Sequence, residues 1–347
     1  MTAGSGRVVV TGAGGFVGSA VVHALRDAGH AVRAVVRPGG DRRNLTGLDV
    51  EVVEADVRDA AATAAAVRGA GLVFHLAAVY RFWAPDPRVF AEVNVRGTQN
   101  VLAAARAAGC ARVVYTGTVG TLGVGAGRAG GPASEDSVAD VSHLFGRYKQ
   151  TKYVAEHEVL RAAAAGLPVV LVQPTTPIGP RDFVPTPTGR IVRDFLDGRL
   201  PAYVDTWLNV VDVDDVARGH LLAAEHGVPG RSYVLGGENR TLRELLLLLA
   251  EVTGLSPPRV RVPLPLLVPV AHVSELVQGR LLRREPFVPL EASRMARTRM
   301  AFDDSRARAE LGHSSRPARV ALARAAQWYL DNGFVRPQRR VRVRLGR

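Results

Sequence analysis

The chain has little of what marks secreted, disulfide-stabilised or membrane-spanning proteins. It contains one cysteine, Cys110, which excludes an internal disulfide framework. No stretch reaches the about 20 uninterrupted apolar residues that a spanning helix requires. Residues 1–6 are polar and lead directly into strand-like sequence, so we expect no secretory signal and a cytoplasmic location. With 347 residues, 47% of them hydrophobic, the chain can nevertheless bury a large core.

Lysine is also scarce, although the formal net charge is +13. Lys149 and Lys152 are the two lysines, and the other cationic residues are arginines scattered along the sequence. A nucleic-acid-binding protein needs a focused basic face, so we expect no nucleic-acid partner. Residues 336–347 hold six arginines and no acid. They predict a solvated basic tail, with contact to an acidic partner or to an anionic membrane surface as the alternative.

Strand-like and helix-like segments alternate through the first 175 residues. The strand candidates are short, apolar and mostly non-alternating, as in a sheet covered on both faces: 7–11, 31–37, 50–54, 72–76, 112–116 and 169–173. Between them, alanine-rich segments predict helices at 15–28, 59–69, 88–108 and 141–165. This alternation predicts βαβ units, and therefore an α/β fold with a doubly wound parallel sheet.

The pattern changes after residue 175, where five prolines between Pro174 and Pro187 predict a loop. Further helices are predicted near 212–226, 241–253, 303–312 and 317–332. We therefore divide the chain into a dinucleotide-binding domain at 1–175, a mainly substrate-binding region at 176–335 with segments that return to the sheet, and the tail at 336–347. The apolar run 262–270 is broken by prolines. We expect it to pack at the edge of the smaller region rather than to lie on a membrane.

A glycine motif follows the first predicted strand and opens the first predicted helix, which is the basis for the dinucleotide site. Gly12 allows a sharp turn, Gly15 admits a pyrophosphate close to the backbone, and Gly18 permits close helix–strand packing. The helix N-terminus offers free N–H groups and a partial positive charge to the phosphates. The strand–turn–helix context favours this reading over a simple glycine-rich turn. The same turn adds Gly14, Phe16 and Val17 to the predicted site.

The second and third predicted strands bear on which dinucleotide is bound. Arg37 ends the second strand, where an acidic residue would bind the ribose of NAD. Because arginine suits a 2′-phosphate, we favour NADP(H) and keep NAD(H) as the alternative. Asp56 and Val57 follow the third strand, where a side chain can meet the adenine. A helix cap at Asp56 is the alternative interpretation.

Tyr148 and Lys152 are four residues apart on a predicted helix, so they share one face. An ammonium beside a phenol lowers the phenol pKa, which favours proton exchange with a carbonyl oxygen near neutral pH. With seven tyrosines and two lysines in the chain, this spacing is a rare coincidence. Thr118 follows the fifth strand at the ligand-binding edge and is placed to hold the substrate oxygen. A hydroxyl that only satisfies the local turn is the alternative.

Together these segments resemble the extended short-chain dehydrogenases/reductases of the NAD-dependent epimerase/dehydratase family, over about 1–330. The resemblance is carried by the glycine motif, residues 75–78 (HLAA) and 94–98 (NVRGT), Thr118, Tyr148-x-x-x-Lys152 and Pro174. It implies a Rossmann fold and a homodimer formed through the 88–108 and 141–165 helices. It assigns Thr118, Tyr148 and Lys152 as catalytic hydroxyl, acid–base and ribose-binding lysine. It also adds Ala77, Ala78 and Pro174 to the cofactor site.

Three further segments, 80–87, 185–190 and 201–206, resemble the hopanoid-associated sugar epimerase subfamily, which is close to dihydroflavonol 4-reductases. Two positions depart from that subfamily. Gly117 stands where a serine is usual, and Asp212 stands where a histidine is common.

The resemblance implies hydride exchange at a carbinol or carbonyl carbon but leaves the overall reaction open. An epimerase acting on a sugar or nucleotide sugar is the first interpretation, and an NADPH-dependent ketone or aldehyde reductase is the second. A 4,6-dehydratase is not expected, because Val119 and Gly120 stand where an Asp–Glu pair is needed. A non-catalytic dinucleotide sensor would not require the Tyr148–Lys152 pair.

The expected substrate residues follow the fourth and sixth strands. Tyr80, Phe82 and Trp83 are placed to stack on a ring of the substrate, with core packing as the alternative for Phe82 and Trp83. Thr175 and Thr176 are expected to face the nicotinamide. We expect no metal. The remaining candidates, for a substrate diphosphate, are Arg181 and Arg190.

Overall fold

The computed structural model describes residues 7–123, 131–137, 139, 144–282, 284–286, 290–335, 341, 343 and 344. Seven described strands form one parallel sheet: β1 (Arg7–Thr11), β2 (Val32–Val36), β3 (Glu51–Glu54), β4 (Ala70–His75), β5 (Arg112–Thr116), β6 (Val169–Pro174) and β10 (Ser232–Leu235). Their order is β10-β6-β5-β4-β1-β2-β3. The chain therefore winds outward from the centre in both directions, which confirms the doubly wound Rossmann sheet.

Helices cover both faces of this sheet, because its strands are apolar on both sides; every residue of β6 is buried. On one face lie α1 (Phe16–Asp27) and α7 (Val213–His226). On the other lie α2 (Ala60–Val67), α4 (Gly97–Ala107) and α5 (Arg147–Ala164). The short helix α3 (Arg88–Ala91) reaches α4 through a π-helical turn at Glu92–Arg96.

The strands and helices predicted for the first 175 residues are present, with one larger correction. The helix predicted at 141–165 begins only at Arg147, because Gly146 has a φ of 87° that a helix cannot include. Residues 141–143 lie outside the described residues. In the second half, the helix predicted near 303–312 is reduced mainly to a π-helical turn at Ala307–Leu311.

The remaining chain forms two small sheets and the helices around them. One sheet has the order β11-β9-β7, and in the other β12 pairs with β8. The strands are β7 (Thr176–Ile178), β8 (Ala202–Val204), β9 (Trp207–Asp212), β11 (Glu238–Thr241) and β12 (Val260–Val262). The helices α6 (Pro187–Leu196), α8 (Leu242–Thr253) and α11 (Ala318–Asp331) pack around the three-stranded sheet and enclose a separate apolar core.

The continuous loop predicted from the prolines is wrong at three of them, the first of which, Pro174, is the last residue of β6. Thr186 caps α6, and Pro187 occupies the first turn of this helix, where its missing N–H is not needed. Pro177 lies in β7, an edge strand, where a residue without a donor is tolerated.

The apolar run 262–270 does not pack as predicted. It enters α9 (Leu264–Ser274), which continues as a π-helical segment over Glu275–Leu281. Leu266 is 60% exposed and Val270 is 52% exposed, whereas Ala271 is buried. None of the described helices is long and apolar enough to cross a membrane.

The described part of the basic tail is only partly solvated: Arg344 is exposed, but two valines are half-buried. Val341 and Val343 pack against the core formed by α8 and α11. The Arg344 N–H donates to the Val252 carbonyl at 2.8 Å. The other residues of 336–347 lie outside the described residues.

Asp212 joins the end of β9 to α11. Its fully buried carboxylate caps α7 by accepting a hydrogen bond from the Asp214 N–H at 2.9 Å. It also accepts from Arg324 at 2.6 Å and from Arg316 at 3.0 Å. A buried carboxylate is stable only when paired in this way. The unusual residue at this position therefore has two arginine partners in this chain.

We predict that Asp212→Ala lowers the free energy of unfolding by about 3 kcal/mol, because it removes a helix cap and leaves two partly buried guanidinium groups without their partner. Urea denaturation followed by circular dichroism measures the change. Asp49→Ala is the control: its carboxylate pairs with Arg26 but is 96% exposed, and we expect a loss within about 0.5 kcal/mol. Similar losses in the two variants would contradict the role assigned to Asp212.

Candidate active site

The glycine turn after β1 is shaped by two contacts that exclude a side chain. Gly12 has a φ of 72°, and a Cβ atom there would lie 2.7 Å from the Ala77 backbone nitrogen. A Cβ atom on Gly18 would lie 2.1 Å from the Gly12 carbonyl oxygen. The turn therefore lies directly against the loop after β4 and against its own helix.

The N-terminus of α1 is suited to an anion. Its N-cap residue, Gly15, has no side chain to accept hydrogen bonds from the first turn, and that turn contains no acidic residue. Phe16 and Val17 are the first helical residues, so their backbone N–H groups lie at this positive end. The Asn44 side-chain amide donates to the Gly14 carbonyl at 3.1 Å and fixes the turn from the other side. These residues fit the diphosphate of a dinucleotide.

A buried histidine connects β1, β4 and α4 behind this turn. His75 Nδ1 lies 2.7 Å from the Thr11 hydroxyl, and its Nε2 lies 3.0 Å from the Thr98 hydroxyl. We call His75 and its two threonine partners the His75 clamp. The Ala77 N–H donates to the Thr11 hydroxyl at 3.3 Å, so the His75 clamp also positions the loop after β4. Burial lowers the pKa of His75 to about 3, with nearby Lys152 acting in the same direction. The imidazole is therefore neutral near pH 7.

The three residues predicted to lie near the adenosine have different surroundings in the structure. Arg37 follows β2 and is exposed, with no salt bridge to any other described residue. The Arg58 guanidinium donates a hydrogen bond to the Asp56 carboxylate, and this bond lowers the pKa of Asp56. The cap of α2 is Asp59, so the cap interpretation of Asp56 is wrong. Val57 is buried and packs on Gly97 of α4.

The Lys152 ammonium points towards β5 rather than towards the Tyr148 phenol. It donates to the Tyr115 hydroxyl at 2.8 Å and to the Thr116 carbonyl at 2.6 Å. Burial lowers the pKa of Lys152 to about 8, against the opposing effect of nearby Glu156. Sequence reasoning missed Tyr115, because no local pattern links this residue to a lysine 37 positions later.

Tyr148 is buried beside Thr118. Burial raises the pKa of the Tyr148 phenol, and a hydrogen bond with the Thr118 side chain opposes this shift in part. The prediction that the Lys152 ammonium lowers the Tyr148 pKa is therefore wrong for this arrangement, since that ammonium is bound to β5. The structure does bring the phenol and the Thr118 hydroxyl together, as the sequence predicts.

Glu156 is a further site residue that sequence reasoning missed. Its carboxylate accepts from the Thr118 N–H at 3.2 Å and from the Thr121 hydroxyl at 2.8 Å. Burial raises its pKa, while these hydrogen bonds and the Lys152 ammonium oppose the shift. Glu156 is four residues beyond Lys152, as Lys152 is beyond Tyr148, so helical spacing is the signal that could have found it.

Asn94 ties the loop after β4 to α5. Its side-chain oxygen accepts from the Val79 N–H at 2.8 Å, and its side-chain nitrogen donates to the Thr151 hydroxyl at 3.1 Å. Asn94 lies in the π-helical turn at Glu92–Arg96, and such turns are frequent at functional sites. Its amide positions the exposed Ala78 and the residues that follow, including Tyr80.

Tyr80 packs on Tyr148 next to a crevice. The two rings are tilted, with their centroids 5.0 Å apart. Beside them is a cavity of about 190 Å³ lined by Phe82, Trp83, Gly146, Glu275, Glu291 and Arg294, among others. Phe82 and Trp83 are half-buried in its wall, which favours a ligand-facing role over core packing.

Two acidic side chains in this cavity wall were not predicted. Glu275 Oε2 and Glu291 Oε1 are buried and have no hydrogen-bond partner within the described structure. Burial raises the pKa of Glu291 to about 8, although nearby Lys149 opposes the shift. Glu291 is therefore largely protonated at neutral pH and can donate a hydrogen bond into the cavity.

The other predicted residues lie at the end of β6 and in the segment from β7 to α6. Pro174 is its last residue, and the Thr175 hydroxyl donates to the Leu235 carbonyl at 3.4 Å. Thr176 is buried in β7. Arg181 forms a salt bridge with Asp214. Arg190 forms a bidentate salt bridge with Glu285, at 3.0 and 3.1 Å.

The model of the NAD dependent epimerase/dehydratase family matches residues 8–236. The chain belongs to this family. A Synechocystis protein named "Putative dihydroflavonol 4-reductase" is 42% identical over 95% of this chain and 96% of its own length. Sterol demethylase protein B of Methylococcus capsulatus is 34% identical over 94% of this chain and 99% of its own length. A solved nucleoside-diphosphate-sugar epimerase from Pseudomonas aeruginosa, 26% identical, matches with a TM-score of 0.78 over 95% of this chain and 99% of its own.

Membership of this family decides the class of protein. The chain is an NAD(P)-dependent oxidoreductase, and the non-catalytic alternative is dropped. The extended short-chain dehydrogenase/reductase resemblance is confirmed. Within the described part of the chain, no group of three or more histidine, cysteine or acidic side chains could hold a metal ion.

His75 generates a prediction for acid stability. Its folded pKa of about 3 lies below the ordinary histidine pKa of about 6.5, so the unfolded chain binds the proton first and stability falls as pH falls below about 6.5. Protonation of this histidine in the unfolded chain should lower the free energy of unfolding by about 2 kcal/mol when the pH falls from 7 to 5. His75→Gln should reduce the pH dependence by that amount in urea titrations at the two pH values. An unchanged pH dependence in the variant would contradict the clamp.

Proposed function

We propose that this enzyme exchanges a hydride between NADP(H) and the carbinol or carbonyl carbon of a lipophilic ring substrate, as a reductase rather than as a nucleotide-sugar epimerase. The observation that carries this proposal is the crevice beside Tyr148. Its wall combines Phe82 and Trp83 with two buried carboxyl oxygens that have no hydrogen-bond partner among the described residues, and Tyr80 packs on Tyr148 beside it. Such a wall suits an apolar ring that bears a hydroxyl or keto group.

The arginines predicted to bind a nucleotide diphosphate already have acidic partners. The two arginines considered for it, Arg181 and Arg190, are each bound to an acidic side chain. A diphosphate held by either of them would have to displace an existing salt bridge, which is costly.

The names of the relatives agree with this substrate class. One relative is named for reduction of a dihydroflavonol and another for the demethylation of sterols, and both are far more similar to this chain than the sugar epimerase. A sterol and a hopanoid are both polycyclic lipids, so the hopanoid association predicted from the sequence fits the same proposal. Epimerisation of a sugar remains the second candidate, because the fold is shared with a sugar epimerase.

In the proposed reaction, the nicotinamide supplies or accepts the hydride when it is bound. Tyr148 exchanges the proton with the substrate oxygen, and the Thr118 hydroxyl beside it orients that oxygen. Glu156 holds the Thr118 backbone, and Lys152, whose ammonium is bound to Tyr115 and Thr116 of β5, would also bind a ribose hydroxyl. Gly12, Gly14, Gly15, Gly18, Phe16 and Val17 would hold the diphosphate, with Asp56, Val57, Ala77, Ala78, Pro174 and Thr175 along the rest of the cofactor.

Arg37 supports the preference for NADP(H). It is exposed at the end of β2, free of salt bridges with the other described residues, and available to a 2′-phosphate. We also propose a homodimer through α4 and α5, because Val154 and Leu160 of α5 are 45% and 42% exposed.

Identification of the dinucleotide released on denaturation tests the proposed reaction. A purified protein that is empty and prefers NADPH supports a reductase. Stoichiometric oxidised cofactor that survives purification would instead indicate a closed redox cycle and favour the epimerase.

We predict that Tyr148→Phe lowers kcat at least about 100-fold while the Kd for NADPH changes less than about threefold, because the phenol moves a proton and does not carry the cofactor. Steady-state kinetics with a cyclic ketone and fluorescence titration with NADPH measure the two quantities. Tyr153→Phe, one turn along α5 and outside the crevice, is the control. Near-wild-type turnover by Tyr148→Phe would refute the assignment.

We predict that Arg37→Asp raises the Kd for NADPH about 10- to 100-fold, the value of one or two charge-assisted hydrogen bonds, and leaves the Kd for NADH within about threefold. Parallel titrations with the two cofactors measure the change in preference. Arg68→Asp, an exposed arginine after α2, is the control for the change in net charge. Equal weakening of both cofactors by Arg37→Asp would show that Arg37 does not recognise the 2′-phosphate.

A further inference from the structure

An apolar stripe lies on the solvent side of α9 and of the π-helical segment that follows it. We call this stripe the outer face. Successive members are three or four residues apart along most of its length, which places them on one side of a helix. Each member is at least 41% exposed: Leu266, Val270, Val273, Leu276, Val277, Leu281 and Leu282. A soluble monomer rarely leaves a contiguous apolar surface of this extent in water.

The opposite side of the same segment roofs the crevice. Glu275 lines the cavity together with Trp83 and Glu291. A Cβ atom on Gly279 would lie 3.3 Å from the Trp83 indole nitrogen, so the segment rests directly on that ring. The outer face and the substrate cavity are therefore two sides of one helical segment, about 10 Å apart.

Two exposed arginines flank the outer face. Other arginines of residues 259–299 do not add to this charge, because Arg261 is paired with Asp205 and Arg294 lines the cavity. Arg259 is exposed before α9, and Arg284 is exposed after the π-helical segment. The acids are turned away: Glu275 lines the cavity, Glu291 is buried, and Glu285 is bound to Arg190. An apolar helix face flanked by arginines is the pattern of a helix that lies in a membrane surface.

We propose that the outer face docks on the surface of an anionic lipid bilayer and holds the mouth of the crevice against it. A second copy of this chain could also cover the apolar side chains, but a two-fold contact would bring the same arginines together. Anionic headgroups neutralise them instead. The docking does not depend on the reaction. Its use to take a lipophilic substrate from the bilayer rests on the proposed function.

Sedimentation of the full chain with vesicles tests the proposal. We expect the chain to bind vesicles of phosphatidylcholine mixed with phosphatidylglycerol and to bind vesicles of phosphatidylcholine alone more weakly. Added salt should reduce the difference in binding between the two kinds of vesicle. The double variant Val270→Glu/Val273→Glu should bind the mixed vesicles at least about tenfold more weakly, because two charges enter the apolar face. Val228→Glu, a 45% exposed valine between α7 and β10, is the matched control and should bind like the wild type.

Three results would overturn the proposal. They are a wild-type chain that does not bind mixed vesicles, a double variant that binds as tightly as the wild type, and a dimer in sedimentation velocity that the double variant converts to monomer without any vesicle binding. NADPH titration and thermal melting confirm that the double variant is folded. If vesicle binding follows the expected pattern while no ketone or alcohol is turned over, the docking stands and the proposed function fails.

Discussion

The buried ammonium of Lys152 is the interaction on which the arrangement of the site depends. An ammonium without water must be satisfied by nearby oxygen atoms, and Tyr115 and Thr116 supply them from β5. These bonds attach α5 to the carboxyl end of β5. One turn further along α5, Glu156 provides the compensating negative charge and accepts the Thr118 N–H. The position of the Thr118 hydroxyl beside Tyr148 thus follows from burying one positive charge.

The cofactor half and the substrate half of the site differ in how their buried polar groups are satisfied. In the cofactor half, backbone contacts around Gly12 and Gly18 and the neutral His75 clamp satisfy the buried polar groups locally. In the substrate half, Glu275 and Glu291 each have a buried oxygen without a hydrogen-bond partner among the described residues. Such groups cost stability and are uncommon in native proteins, so their position in the wall of a cavity points to a partner supplied by the ligand. The unusual exposure of α9 belongs to the same half.

The sequence was most informative where its signals are local. The strands of the main sheet are apolar runs buried on both faces, and the glycine turn stands between a strand and a helix, so local sequence predicts both. The sequence does not predict the start of α5, because Gly146 interrupts a periodic pattern that continues on either side. The cluster of prolines predicts a loop at Pro187, whereas the Thr186 side chain caps a helix that begins at Pro187. Apolar composition predicts that the run 262–270 packs, but composition cannot show whether a surface is available to cover it.

The sequence by itself determined the Rossmann sheet, the dinucleotide turn, and the residues Thr118, Tyr148 and Lys152, because each depends on short-range spacing and on the intrinsic chemistry of the side chain. Only the tertiary structure decided where the Lys152 ammonium points, which arginines are already paired, and which apolar side chains stay in water. Those outcomes depend on atoms far apart in the chain: Tyr115 with Lys152, Arg190 with Glu285, and Trp83 with the segment around Gly279. A buried charge takes whichever partner the packing brings near, and no local pattern specifies that partner.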